Sequence, residues 1–490
     1  MKNQVQLIAY VDRLSAGGIQ DLALLLNGPL ADVFGGAHLL PFFDPIDGVD
    51  TGFDPIDHTL VDPRLGSWDD LRALGGRLEL MADLIVNHVS SQSSQFQDFS
   101  ENGANSPYAG MFLTYDRVFP QGATEADLLR IYRPRPGLPF TYSTLRNGEK
   151  KLLWTTFTSQ QIDIDVTHPQ GQAYLGAILE RFHAAGIHAI RLDAVGYAIK
   201  KPGTSCFMIP ETFDFIAELT KQARALGMEV LVEVHSYFKQ QVEIACQVDW
   251  VYDFALPPLI LHALYAADAQ PLCEWMKIRP HNAITVLDTH DGIGVIDVSA
   301  DQLGNPGLLA PETIHNLIEE IHRRSHNQSK RATGAAANNL DLYQVNCTYL
   351  DALGGDETLY LIARAIQFFV PGIPQVYYVG LLGAHNDMEL LAKSGVGRDI
   401  NRHYFTPGEI AASLQIPLVN RLIALIRLRN SHPAFSGDCT TELASRERLT
   451  IRWRQNEHRI SLAVDLSKPC ATLEYSNGLN ATAAMAIPAS

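Results

Sequence analysis

Eight short, β-branched apolar runs alternate along this chain with longer stretches whose apolar residues recur at helical spacing. The runs cover Gln4–Tyr10, Ala37–Pro41, Leu80–Asn87, Ile187–Asp193, Met228–Glu233, Trp250–Phe254, Ala283–Leu287 and Ile373–Tyr378. Between them, Gly171–Ala185, Pro210–Leu226 and Tyr360–Phe369 show the i, i+3, i+4 recurrence of amphipathic helices. Nearly continuous apolar strands alternating with helices predict a parallel sheet buried on both faces. Several of these runs also end on charge: Arg191-Leu192-Asp193, Glu233-Val234-His235 and, just past the seventh run, His290-Asp291. A charge at the end of a buried strand is costly unless it has a purpose. Its recurrence at several strand ends predicts a (β/α)8 TIM barrel, an α/β fold, with its chemistry on the carboxyl-end face.

Two interruptions break the alternation. From Ser90 to about Asp165 helical and strand periodicity is poor, and Pro and Gly cluster in Tyr132–Pro139. A second irregular stretch runs over about Gly292–Tyr349, and after Pro433 the pattern turns to short alternating strands such as Leu449–Arg454 and Ser461–Val464. The expected organisation is a catalytic barrel from residues 1–88, 166–291 and 350–432. To it are added an inserted domain at 89–165, a loop-rich insertion at 292–349 and a small antiparallel β domain at 433–490.

Composition narrows the function. The chain has 490 residues, enough for a barrel of about 250 residues with additions. A hydrophobic share of 46% against 19% charged supports a large core. A formal net charge of −16 argues against nucleic acid as a partner. No run approaches the roughly 20 apolar residues of a membrane span, so no membrane partner is expected. The opening Met1–Tyr10 is too short and polar for a secretion signal and reads as the first strand. The six cysteines show neither CxxC nor metal-ligand spacing. With single histidines at the strand ends, no metal site and no cofactor are expected. The expected location is cytoplasmic.

Paired carboxylates with a third in support suit retaining glycoside chemistry. One carboxylate attacks the anomeric carbon and another protonates the leaving oxygen from about 5 Å away. Neighbouring strands lie about 4.8 Å apart, so Asp193 and Glu233, on consecutive strands, suit those two roles. Arg191 shares a strand face with Asp193 and is expected to hold it ionised. Asp291 and His290 would grip sugar hydroxyls, and Asp83…Asn87-His88 ends the third strand with His88 placed as a donor. Trp154 and Phe157 fit either a core or a sugar-stacking position.

These motifs, Asp83…Asn87-His88, Arg191-Leu192-Asp193, Glu233 and His290-Asp291, match in order the four short motifs of the α-amylase superfamily (glycoside hydrolase family 13). Longer segments resemble the sucrose phosphorylase family: Gly52–His58, Tyr132–Phe140, Gly203–Met208, Asp341–Asn346 and Gly397–His403. The resemblance weakens only after about Pro433. It implies Asp193 as nucleophile, Glu233 as general acid and base, and Asp291 as transition-state stabiliser. It implies that Asp50, Phe53, His88, Gln161, Arg191, His290 and Arg398 hold the glucosyl unit. Tyr132, Arg135, Tyr197, His235, Asp341, Leu342, Tyr343 and Gln344 would line the acceptor side. Sucrose and inorganic phosphate would then exchange for fructose and α-glucose 1-phosphate, and the assembly common in the family is a homodimer. A phosphorylase for sucrose 6′-phosphate, glucosylglycerol or glucosylglycerate, or a hydrolase or transglucosidase on the same scaffold, are the alternatives.

Overall fold

The computed structural model describes residues 1–490 except 16, 49, 135–136, 302, 335–343, 477–481 and 488–490. Arg135, Asp341, Leu342 and Tyr343, expected on the acceptor side, therefore lie outside the described residues. Eight parallel strands close into a barrel: β1 (Gln6–Ala9), β2 (Gly36–Leu39), β3 (Glu79–Ile85), β4 (Ala189–Asp193), β5 (Glu229–Val232), β6 (Trp250–Asp253), β7 (Ala283–Thr285) and β8 (Ile373–Tyr377). Each strand pairs with its neighbours in the chain, and β8 closes on β1. All eight correspond to the apolar runs of the sequence, with ends that differ by a residue or two; β2 and β3 begin one residue earlier than their runs.

The helices that cover the barrel are set by local signals. His168 caps the helix Pro169–Ala184, accepting from the Gln170 N–H, with Pro at its first position. Leu175, Ile178, Leu179 and Phe182 form its buried stripe. Gly186, at φ 76°, then turns the chain into β4. The helix Glu357–Phe369 is buried along its length from Leu359. One side of it carries a five-stranded antiparallel sheet, β9 (Asp438–Ser445), β10 (Arg448–Gln455), β11 (His458–Asp465), β12 (Cys470–Ser476) and β13 (Thr482–Ile487). Period-two alternation in β10 turns Leu449, Ile451 and Trp453 inward. The Trp453 indole donates to the Phe369 carbonyl at 2.7 Å, pinning sheet to helix.

The two interruptions hold more regular structure than their patterns suggest. Stretch 89–165 contains a helix at Ser94–Asn102 and a hairpin of Phe140–Thr144 with Lys150–Trp154. Its strand Gln161–Asp163 pairs with His88–Ser90 and so returns the insertion to the barrel rim. Stretch 292–349, expected to be loop-rich, carries a helix at Pro311–Arg324 and another at Gln328–Thr333. The first buries only Leu317, Ile321 and His322, too narrow a stripe to stand out among charged neighbours. Trp154 is core, packed with Phe119 and Phe140, whereas Phe157 meets His88 edge-on at 5.3 Å. Among the described residues no single helix is long and apolar enough to cross a membrane.

Two arginines are sealed within the fold. Arg279 Nε donates to Asp253 at 2.7 Å, and the same carboxylate receives the Trp275 indole and the Leu256 N–H. Arg364 donates to Asp288 at 2.7 Å, to Gln367 at 2.9 Å and to the Tyr360 hydroxyl.

Candidate active site

The carboxyl ends of β3, β4, β5 and β7 bring their polar residues to one place. Register sets Arg191 beside Asp83 across β3 and β4, and Leu192 beside Val232 across β4 and β5. Glu233 therefore emerges next to Asp193. Arg191 is the hub: its Nη1 donates to Asp83 at 2.5 Å and to Asp193 at 2.9 Å, and its Nη2 lies 3.2 Å from Glu233. Directly after Asp193 the backbone of Ala194 takes the left-handed conformation, at φ 55° and ψ 20°. That is strained for a residue with a Cβ, and it turns the Ala194 N–H onto Glu233 Oε2 at 3.2 Å. The turn thus fixes the relation between the two carboxylates.

The charges settle unequally. Asp83 is fully buried, but His38 (3.0 Å) and Arg191 outweigh the cost of burial and hold its carboxyl down at about 2. Burial likewise opposes ionisation of Asp291, yet Arg398 at 2.8 Å and Arg402 keep it well below the usual carboxylate range. Asp193 goes the other way. Burial raises its carboxyl well above the ordinary range, Arg191 opposes this, and the nearby Glu233, Asp83 and Asp291 add to it. The expectation that Arg191 holds Asp193 ionised is therefore corrected. The contact forms, but one guanidinium divided among three carboxylates cannot neutralise them all. Burial and the neighbouring carboxylates therefore leave the Asp193 carboxyl raised despite the contact.

The expected glucosyl-side residues surround this cluster. Phe53 stacks on the His290 ring at 4.9 Å, and the Arg191 guanidinium lies 5.7 Å from its centroid. His290 is held neutral by burial, its pKa well below the ordinary value. His88, also lowered by burial, donates from Nε2 to the Phe53 carbonyl at 2.9 Å, with the Gln161 amide 3.1 Å from the same nitrogen. Asp50 lies at the rim, 4.0 Å from Arg398.

On the acceptor side, Tyr132 stacks on Phe207 at 4.4 Å, and Tyr197 packs against both rings. His235 stacks on Phe254 at 3.7 Å and pairs through Nδ1 with Asp297 at 2.9 Å. Gln344 accepts from the Gly292 N–H at 3.2 Å and sets its amide nitrogen 3.5 Å from His235 Nε2. Glu233, His235 and Asp291 bring one polar atom each within 4.8 Å of one another, facing a common space. That space is bounded by carboxylates, guanidinium groups and aromatic faces, which suits a neutral polyol with one flat apolar face.

Sequence reasoning passed over several contributors. Arg402, fully buried, donates to the His290 carbonyl at 2.8 Å. The buried Lys200 ammonium joins Asp163 and Asn87, each at 2.8 Å, and so ties the insertion to the end of β3. Phe207 and Asp297 were likewise missed. Arg402 and Phe207 sit inside segments whose resemblance was noted, whereas Lys200 and Asp297 carry no local signal.

Comparison with known proteins agrees with this geometry. The family model described as "Alpha amylase, catalytic domain" matches residues 34–250. The sucrose phosphorylase of Agrobacterium vitis is 63% identical over 476 residues, covering 97% of this chain and 98% of that protein. That of Bifidobacterium adolescentis is 52% identical over 485 residues, covering 97% and 96%. Among solved structures, the sucrose 6F-phosphate phosphorylase from Thermoanaerobacter thermosaccharolyticum superposes with a TM-score of 0.91 at 37% identity, covering 99% of this chain and 98% of that one. A barrel with this carboxylate cluster, and full-length identity at that level, place the chain in the sucrose phosphorylase family of α-amylase-type proteins.

Proposed function

We propose that this chain is a sucrose phosphorylase, transferring the glucosyl unit of sucrose to inorganic phosphate with retention to give α-glucose 1-phosphate and fructose. The observation that carries the reading is the Arg191 hub. It holds Asp193 and Glu233 on adjacent strand ends, with Asp291 and its own arginine beside them. In the proposed reaction Asp193 attacks the anomeric carbon while Glu233, as general acid, passes a proton to the departing fructose oxygen. This leaves a β-glucosyl ester on Asp193. Phosphate then attacks from the face that fructose vacated, Glu233 takes back a proton, and the ester bond breaks with a second inversion.

The remaining residues take supporting roles in this scheme. Asp291, ionised by Arg398, holds sugar hydroxyls more tightly as the ring flattens toward the oxocarbenium-like transition state. Neutral His290 can donate to a hydroxyl without adding charge, His88 braces Phe53 through its N–H on the Phe53 carbonyl, and Phe53 offers its ring to the sugar's apolar face. His235 and Gln344 stand where the acceptor oxyanion would arrive. Arg135 and the 341–343 segment are proposed to complete that side. With six free thiols, a cytoplasmic setting fits the same reading.

The test is product analysis of purified protein with sucrose, with and without inorganic phosphate. Phosphate-dependent α-glucose 1-phosphate plus fructose is the expected result. Free glucose irrespective of phosphate would replace the proposal with a hydrolase on the same scaffold. Turnover only with sucrose 6′-phosphate or glucosylglycerol would move it to another phosphorylase.

A further inference from the structure

One buried pair behind the acceptor side belongs to none of the roles above. Asp297 lies in the single 3-10 turn Ile296–Val298 and is completely shielded from solvent. Its carboxylate receives the Ser236 N–H at 3.1 Å and the Gln241 amide at 2.8 Å on one oxygen, and pairs with His235 Nδ1 at 2.9 Å on the other. An ionised carboxylate accepts and does not donate, so the proton between Asp297 and His235 belongs on Nδ1. The other ring nitrogen then points away from the pair, toward Gln344. Phe254, stacked on the ring at 3.7 Å, fixes its plane, and the pair with Asp297 fixes which nitrogen faces inward.

The backbone makes room for the pair. A Cβ at Gly294 would lie 2.6 Å from Asp297 Oδ2 and 3.1 Å from His235 Nδ1, so only glycine lets the two side chains meet there. His235 follows Glu233 by two residues and so shares its face of the strand end. Among the described residues, the charged groups that face the ring include Asp297 from the 3-10 turn, Glu233 from the end of β5 and Asp291 from the loop after β7. Phe254, Gly294 and Gln344, also beside it, are uncharged.

We propose that Asp297 is a positioning residue for the acceptor step: it fixes His235 with Nε2 toward the acceptor and lends the ring a positive charge to present to an incoming oxyanion. The inference rests on the phosphorolytic reading above. In a site otherwise dominated by carboxylates, an oxyanion needs such a local cation to approach the glucosyl ester at all. Water, being neutral, needs it far less. The surroundings agree. Burial disfavours the imidazolium, but Asp297, then Glu233 and Asp291, outweigh it and raise the His235 pKa above its ordinary value. The imidazolium is therefore held more firmly than in a free histidine, and it is lost as pH rises through that raised value.

The test compares Asp297→Asn with the unchanged protein in two reactions that share the first half of the cycle, phosphorolysis of sucrose and its hydrolysis without phosphate. The expected result is a loss of about tenfold or more in kcat/KM for phosphate, a much smaller loss in hydrolysis, and an alkaline limb of phosphorolysis moved to lower pH. The double variant Asp297→Asn with His235→Gln should be no worse than His235→Gln alone. Equal losses in both reactions, or losses that multiply in the double variant, overturn the proposal. A readout free of activity is 15N NMR of the intact protein, with the His235 signals assigned by their loss in His235→Gln. An Nδ1–H ring that stays protonated above the ordinary histidine value supports the role. An Nε2–H tautomer overturns it, even if the chain proves not to use phosphate.

Discussion

Three of the buried arginines, Arg191, Arg279 and Arg364, differ in how their charge is matched. Arg279 meets Asp253, and Arg364 meets Asp288, each in a closed network where the carboxylate's other donors are an indole, a backbone N–H or nothing charged. Arg191 faces Asp83, Asp193 and Glu233 at once. Each closed pair sets one guanidinium against one carboxylate. The Arg191 cluster sets three carboxylates against one guanidinium, and burial together with those neighbours raises the Asp193 carboxyl. Asp253 and Asp288 also lie at or near strand ends, so a charged strand end is not by itself a mark of chemistry. Surplus charge open to a cleft is the better mark.

The comparison can be broken or sharpened by substitution. The largest effect is expected from Asp193→Asn, which removes the proposed nucleophile while keeping its shape. Turnover of sucrose should fall by about 10⁴-fold or more, with the thermal unfolding midpoint held or raised because a crowded charge is gone. Appreciable turnover would transfer the role to another carboxylate. Next, Arg191→Ala and Arg279→Ala should each cost about 3–5 kcal/mol of stability, since both leave buried carboxylates unpaired. Only Arg191→Ala should also abolish activity in the fraction that remains folded. Similar activity losses in both, measured per folded molecule, would erase the distinction drawn between them.

The smallest expected effect is one of pH. Asp83 is held at about 2 in the folded protein against 3.8 in a free chain. A depressed carboxyl stabilises the fold at pH above 3.8, and that contribution, about 2 kcal/mol, is lost as pH falls toward 2. Urea unfolding between pH 5 and 2 should therefore be steeper in pH for the unchanged protein than for Asp83→Asn. Equal slopes would mean that His38 and Arg191 do not hold Asp83 as described.

How much of this was legible in the chain follows from what each feature depends on. The eight strands stand out because each is a buried run of its own residues. The helix Pro311–Arg324 does not, because its buried face is only three residues wide. The pairing of Arg191 with Asp193 follows from spacing within a strand, but the raised carboxyl of Asp193 does not, because it depends on burial and on carboxylates carried by three other strands. His235 stands out by its distance from Glu233. Asp297, 62 residues further on, is linked to it only through a turn that Gly294 leaves room for.

The sequence by itself determined the alternation of elements, the closed parallel barrel and the identity of the strand-end residues, because periodicity and local charge are properties of contiguous residues. The tertiary structure alone decided which of those charges balance, which carboxyl is raised and which way a histidine faces. Those outcomes depend on distances of 3 to 4 Å between segments far apart in the chain, and on burial that no single segment creates for itself.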